Sequence, residues 1–401
     1  MKILVSNPSF QYSLQTVKAL QSGGHKVYFA TTYVYNETRF FERIIKIILP
    51  SVSRKLSNKK ISFLDQEFII RHFAGLLFQF WYKVTSDTVE EKSFKEDIRH
   101  DQWVSVWIEK HKPDLVIGYE KSSFQTFQAV KRYNGKCYLD LAQVHPFFIK
   151  QLREEYTFFK AITGSQKLFA TITDRKIAEY QLADLIFSLS DFAKQTLVEH
   201  GISDSKIKVN QLGYDPDIFF SKQKMIFNRP IKFIYAGIIT KRKGIHLLLE
   251  VISNFHSSDV ELILVGPKGD ASDFLQKYQS FTHITYYEAM PQNQLADFFR
   301  NADVFVFPSF LDSWAAVVPE AMACGLPVII TKSTGSSEMV TPDTGIIIDA
   351  GSKQQLEEAV LFFINNKELI SNMSEAAMLQ SKPFTWTNYQ NRLLHQIANH
   401  I

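Results

Sequence analysis

The sequence predicts an α/β protein built from two Rossmann-like domains, and three observations predict it. Its 401 residues exceed what one ordinary hydrophobic core accommodates, and an apolar content of 45% supports two sizeable cores. Short apolar runs without polar alternation recur along the chain beside helix-sized segments, the pattern of parallel strands covered on both faces. The clearest case is residues 303–331, DVFVFPSFLDSWAAVVPEAMACGLPVIIT. It reads as a buried strand (304–307), a polar loop (309–313), a helix through Met322 stopped by Gly325 and Pro327, and a second buried strand (328–330).

The first domain, residues 1–215, opens with a strand (3–5), a loop SNPSFQ, a helix ended by Gly23 and Gly24, and a strand (27–30). No GxGxxG fingerprint is present, so a nicotinamide cofactor has no support. The loop after a first strand faces the ligand crevice in such a fold, which makes residues 7–11 candidates for contact. Residues 33–112 are dense in aromatic and basic side chains and read as several helical pieces. A strand (115–117), a helix (124–131) and a strand (137–141) follow, and the last of these leads into Gln143-Val144-His145-Pro146. His145, at a strand end, is either a structural hydrogen-bonding residue or part of the site. Glu154 and Glu155 read as a solvated helix face, Ser190 as a helix cap and Gly213 as a turn residue.

Pro216, Asn228 and Pro230 bracket a linker at 216–229. The second domain, residues 230–381, begins with a strand (231–235), a basic turn GIITKRKG (237–244) and a helix from Ile245. Strands at 262–265 and 284–287 and a helix at 293–300 then lead to the unit at 303–331, and a final helix occupies about 382–401.

Two carboxylates stand out, Asp312 in the polar loop and Glu320 early in the following helix. Open parallel sheets bind ligands at the carboxyl ends of their strands, beside helix amino termini that favour anions. Acids placed there repel phosphate but accept hydrogen bonds from sugar or ribose hydroxyls. The plain alternatives are a loop cap for Asp312 and a dipole-favoured helix-start acid for Glu320. Arg242 and Lys243 in the basic turn are either solvated or poised, between a strand and a helix start, to meet phosphate.

Pro308-Ser309 and Glu320-Ala321-Met322-Ala323-Cys324-Gly325-Leu326-Pro327-Val328 resemble the signature of the retaining nucleotide-sugar glycosyltransferases of family 4. The likeness extends to Gly237 through Gly244, to Thr334-Gly335 and Glu338, and to Phe384-Thr385-Trp386 near the carboxyl end. It implies the GT-B fold: two Rossmann-like domains facing across a cleft, with a C-terminal helix crossing back to the N-terminal domain. It also implies transfer of a sugar from a nucleotide diphosphate to a hydroxyl acceptor, a glycan or a lipid-linked glycan, without a metal or other cofactor. By that resemblance His145, Asp312 and Lys243 are the catalytic set, with Lys243 on the leaving diphosphate and Asp312 on the donor-sugar hydroxyls. Glu320 would hold the ribose, with Arg242, Ser313, Trp314, Ala315 and the amides near Val317 and Val318 completing the donor site. The sequence departs from the pattern in three places: Asp312 stands for a Glu, Ser313-Trp314-Ala315 replaces a glycine-bearing loop, and Ile238 takes an arginine position. A nucleotide-sugar epimerase and a non-catalytic nucleotide-binding scaffold on the same fold are the alternatives.

A formal charge of +4 over this length does not by itself imply a nucleic-acid partner. Two cysteines, Cys137 and Cys324, lie in apolar surroundings without metal-ligand spacing and suit buried thiols in a reducing, cytoplasmic compartment. The span Arg39 to Lys60 interleaves seven basic residues with isoleucines and phenylalanines. That pattern reads either as a helix packed on the first domain or as a peripheral contact with an anionic membrane face.

Overall fold

The computed structural model describes residues 1–10, 12–36, 40–48, 57, 60–71, 88–221, 230–270 and 272–400. Its framework is a pair of sheets. The first contains β1 (Lys2–Ser6), β2 (Lys26–Thr31), β3 (Ile69–Arg71), β4 (Leu115–Tyr119), β5 (Lys136–Leu141), β6 (Leu185–Ser188) and β7 (Ile207–Val209), in the order β3-β2-β1-β4-β5-β6-β7. The second contains β8 (Ile231–Ala236), β9 (Val260–Val265), β10 (Ile284–Tyr287), β11 (Val304–Phe307), β12 (Val328–Thr331) and β13 (Gly345–Ile348), in the order β10-β9-β8-β11-β12-β13. The pairings are parallel, with Val5 opposite Ile117 in the first sheet and Phe305 opposite Ile234 in the second. The central strands are buried on both faces, as their unbroken apolar runs require: Ile3, Leu4 and Val5 in β1 and Val304, Phe305 and Val306 in β11 are fully buried.

Strand order reverses between β1 and β4 in one sheet and between β8 and β11 in the other. At such a reversal the crossover helices depart to opposite faces, leaving a crevice at the carboxyl ends. Four loops therefore converge as ligand-binding positions, those after β1, β4, β8 and β11.

The final helix, Trp386–Ala398, returns to the first domain as expected and lies along the helix Ser13–Ser22. The Tyr389 hydroxyl is 2.9 Å from Thr16 Oγ1, Gln390 Nε2 donates to Gln15 Oε1 at 2.8 Å, and the Tyr138 hydroxyl donates to the His400 carbonyl at 2.9 Å. Where the chain leaves the first domain it pairs with the segment returning to it. Tyr214 N donates to Phe384 O at 2.9 Å and Trp386 N to Tyr214 O at 3.1 Å.

Residues 33–112 differ from the all-helical expectation, because Ile69–Arg71 adds the edge strand β3. Three residues on an edge carry too little period to show in the sequence. The helix Val89–His111 in this span is begun by a capping box, in which Thr88 and Glu91 satisfy each other's backbone N–H groups. Of the basic apolar span, the helix Phe40–Ile48 is described, with Ile47 81% and Ile48 67% exposed. Arg39, residues 49–56, Lys59, Gln11 and linker residues 222–229 lie outside the described residues. Glu154 and Glu155 are exposed, and Cys137 and Cys324 are buried free thiols. No helix among the described residues is long and apolar enough to cross a membrane.

Gly213 sits where the outgoing and returning segments touch, and a Cβ there would run into the backbone of Thr385 and Trp386. Gly213→Ala is expected to lower stability by about 1–3 kcal/mol, the usual cost of overpacking a rigid contact, read as a lower urea midpoint.

Candidate active site

The loop after β8 tightens into a single turn, Lys241–Lys243, capped by Thr240, whose Oγ1 accepts the Lys243 N–H at 3.3 Å. Gly244 ends it with φ 74° against the Pro308 carbonyl, an approach only glycine permits. This close approach points Lys243 at the loop after β11. There its Nζ forms a close ion pair with Asp312 Oδ2. Asp312 Oδ1 accepts the amides of Ala315 at 2.9 Å and Trp314 at 3.2 Å. The backbone of Asp312 is also bound, donating to Ser333 O at 3.0 Å and accepting from Gly335 N at 2.8 Å. Burial works against the ionised carboxyl, but the charge of Lys243 beside it, with Arg242 and the Trp314 amide, brings Asp312 below its ordinary range. Asp312 thus serves first as the loop's internal anchor.

A cavity of about 380 Å³ lies between the domains. From the second domain it is lined by Arg242, Asp312 and Ser313, and from the first by Gln143, Lys121 and Lys176. Arg242 Nη1 donates to Leu311 O at 2.8 Å, which fixes the guanidinium at the cavity wall. Lys176 is buried and donates to Gln143 Oε1 at 2.7 Å, with Glu120 Oε2 at 3.0 Å. The domains meet directly beside the cavity: Ser190 Oγ accepts the Ala193 amide as a helix cap and donates to Ser313 O at 2.6 Å. Glu338 adds a second tie, accepting from Asp191 N at 2.9 Å and Gln211 Nε2 at 3.1 Å.

The predicted residues divide between this cavity and other positions. Arg242, Asp312 and Ser313 line it. His145 does not. It is 2% exposed, caps the helix Pro146–Glu155 by accepting the Phe147 amide on Nδ1, and stacks on His200 with ring centroids 4.4 Å apart. Burial, then His200 and Lys176, pushes its pKa down to about 4, so the ring is neutral near pH 7. Trp314 is 1% exposed and turns inward onto Phe384. The Val318 amide is engaged by Ala315 O at 2.9 Å. Glu320 stands apart with Gln292, whose Nε2 donates to Oε1 at 3.3 Å, and burial raises its pKa to about 8. Lys121 and Lys176 carried no motif in the sequence; only the fold brings their helix and loop to the cleft.

Ala315 has φ 59°, the left-handed region that costs a residue with a Cβ about 1–2 kcal/mol. The glycine-like backbone survives without the glycine because Asp312 holds the Ala315 N–H.

Residues 217–380 match the family model described as Glycosyl transferases group 1, which places a domain of that group in the second half of the chain. The D-inositol 3-phosphate glycosyltransferase of Paenarthrobacter aurescens is 26% identical over 223 residues, 51% of this chain and 54% of that protein. The capsular polysaccharide biosynthesis glycosyltransferase CapM of Staphylococcus aureus is 27% identical over 223 residues, 51% of this chain and 58% of that protein. The matched region thus spans about half the length of each of these relatives. Among solved structures, sucrose-phosphate synthase of Thermosynechococcus elongatus superposes with a TM-score of 0.72 at 17% identity, covering 99% of this chain and 98% of that one. HepE of Anabaena, solved in complex with UDP-glucose, gives 0.68 at 13% identity over 100% of both chains. The fold is GT-B.

Ala315→Gly relieves the strained backbone and is expected to stabilise the protein by about 1 kcal/mol, read as a higher denaturant midpoint with an unchanged slope.

Proposed function

We propose that the protein is a glycosyltransferase that moves a sugar from a nucleotide diphosphate to a hydroxyl acceptor with retention at the anomeric carbon. The observation that carries this reading is the interdomain cavity, where Arg242 and Asp312 of the group 1 domain face Gln143 and Lys176 of the other domain at the carboxyl ends of both sheets. Breaking a bond between an anomeric carbon and phosphate puts negative charge on the leaving group, and fixed cations at the wall stabilise that charge without reorganising. Arg242 is the better placed cation, because the Lys243 ammonium is taken by Asp312. Lys243 then acts by holding Asp312 and its loop, and side-chain cations fill the role a metal would have. Glu320 and Gln292 form the ribose site. The departing phosphate oxygen takes the acceptor proton, so the neutral, buried His145 is a positioning residue for the loop after β5.

The span Arg39 to Lys60 serves as a peripheral contact with an anionic membrane face. On the helix Phe40–Ile48, Arg43, Lys46, Ile47 and Ile48 are exposed together, a pairing of charge and apolar surface suited to the anionic cytoplasmic face where a lipid-linked acceptor would lie.

The reading is tested by incubating the protein with a radiolabelled UDP-sugar panel and following the label with and without acceptors. Label moving to an acceptor with retained configuration is expected. Epimerised donor, or tight nucleotide binding without turnover, overturns the proposal. Within an active preparation, Arg242→Ala is expected to lower kcat by about 100-fold, as loss of one preorganised transition-state donor does, with a smaller change in KM.

Glu320 gives a pH signature. Its carboxyl, raised to about 8, is mainly protonated at neutral pH, whereas ribose hydroxyls donate best to the ionised form. Nucleotide binding therefore releases a proton, and affinity rises as pH climbs from 6 to 9. The expected gain is about tenfold by calorimetry, and in Glu320→Gln this component is absent.

A further inference from the structure

Arg242 owes its place at the cavity wall to the loop after β11. Its carbonyl accepts the Phe310 amide at 2.9 Å and the Ser309 hydroxyl at 3.4 Å, and its Nη1 donates to Leu311 O at 2.8 Å. Backbone and guanidinium are thus both set by where residues 309–311 lie. Thr331 ties down one end of that segment, its Oγ1 donating to Ser309 O at 2.5 Å, and Asp312 anchors the other. Between them stands Phe310, 2% exposed, whose ring carries the packing of the middle of the loop.

That ring is shared between the domains. His246 of the second domain stacks on it, with planes 8° apart and centroids 5.8 Å apart. Tyr156 and Phe158 reach it from the first domain, with centroids at 4.8 and 5.1 Å and planes tilted by 70° and 75°. Edge-on pairs at such distances are a favoured aromatic geometry and hold a ring more firmly than apolar burial alone. Both rings stand on a braced corner. Tyr156 N donates to Leu152 O at 2.8 Å, joining the helices Pro146–Glu155 and Thr157–Thr163. The buried Arg153 spans the same corner to Thr163 Oγ1 and, at 3.2 Å, to Gly164 O. A change to Tyr156 or Phe158 therefore loosens Phe310 while every residue of the Arg242 loop stays as it is.

We propose that Tyr156 and Phe158 are positioning residues for the transfer reaction: by clasping Phe310 from the opposite domain they fix Leu311 O, and with it the Arg242 guanidinium. The proposal rests on the glycosyltransferase reading and adds to it two residues, from the domain that does not carry Arg242, on which the leaving-group cation depends. A fixed cation stabilises developing charge only while its support is rigid, and a misplacement of about 1 Å costs about 100-fold in rate.

The test is Phe158→Ala in the UDP-sugar assay that gives transfer, with folding checked by the urea midpoint. kcat is expected to fall about tenfold while donor KM stays within about threefold of wild type. Phe158→Tyr, which restores the ring, is expected to recover at least about half of the wild-type kcat. In an Arg242→Ala background Phe158→Ala is expected to change kcat by less than about twofold, because residues that act through one group are not additive. The full loss repeated in that background, or kcat unmoved by Phe158→Ala in otherwise wild-type protein, overturns the inference. If Phe158→Ala does not fold, Phe158→Leu, which keeps apolar volume and loses the ring, is read by the same criteria. A second readout needs no turnover: rotation of the Arg242 guanidinium about its Nε–Cζ bond, followed by NMR on arginine-labelled protein and identified by its loss in Arg242→Lys. In Phe158→Ala this rotation is expected to quicken about fivefold, the equivalent of losing the hydrogen bond to Leu311 O. An unchanged rate overturns the inference. Wild-type protein that transfers no sugar sinks the glycosyltransferase reading alone, and the rotation rate then decides whether the clasp governs Arg242.

Discussion

The Asp312 carboxylate gathers three loops into one object. Through Oδ2 it fixes the turn after β8, through Oδ1 it shapes its own loop after β11, and through its backbone it joins the segment after β12. Asp312 is only half-buried, and the water it loses is replaced by the Lys243 ammonium and two loop amides, without which partial burial of a carboxylate would be unfavourable. The surrounding features follow from this one site. Ala315 tolerates a left-handed backbone, the Ser313 carbonyl is held out for Ser190, and Arg242 is free to serve the cavity because its neighbour neutralises the acid.

The basic turn and the acidic loop are therefore a single electrostatic unit rather than two separate binding elements. Sequence reading places Lys243 and Asp312 on different parts of a ligand, since nothing in a linear pattern shows that residues 69 positions apart will neutralise each other. The position of the signature unit, by contrast, is legible, because apolar runs, Gly325 and Pro327 are local signals that burial then enforces. The same holds for Ser190, whose cap is a matter of neighbouring residues. Trp314 shows the limit from the other side: the resemblance puts it in the donor site, yet Phe384, contributed from the far end of the chain, draws it inward. Strand β3 and the cavity-facing lysines were hidden for related reasons, one too short to carry a period, the others meaningful only after three segments meet.

The first domain repeats the theme with different chemistry. Glu179 is fully buried and accepts the amides of Lys121 at 2.8 Å and Ser123 at 2.9 Å, while Asp101 accepts those of Gln125 and Thr126, both at 2.8 Å. Arg175 pairs with Asp101 and donates to the Lys121 carbonyl at 2.7 Å. These contacts set the loop after β4, where Lys121 takes φ 73°. Burial raises Glu179 to about 8, opposed by the Ser123 and Lys121 amides and by Arg175. The cavity is thus bounded on both sides by loops that charged groups hold from behind.

The return of the final helix has a mechanical consequence. Tyr214, where the chain leaves the first domain, and Thr385, where it returns, are joined by a parallel bridge, so the two crossings are fastened to each other rather than acting as separate tethers. A single tether lets one body swivel about any axis. Two crossings fastened together resist torsion and separation, and the Ser190–Ser313 hydrogen bond holds the facing domains at a further point.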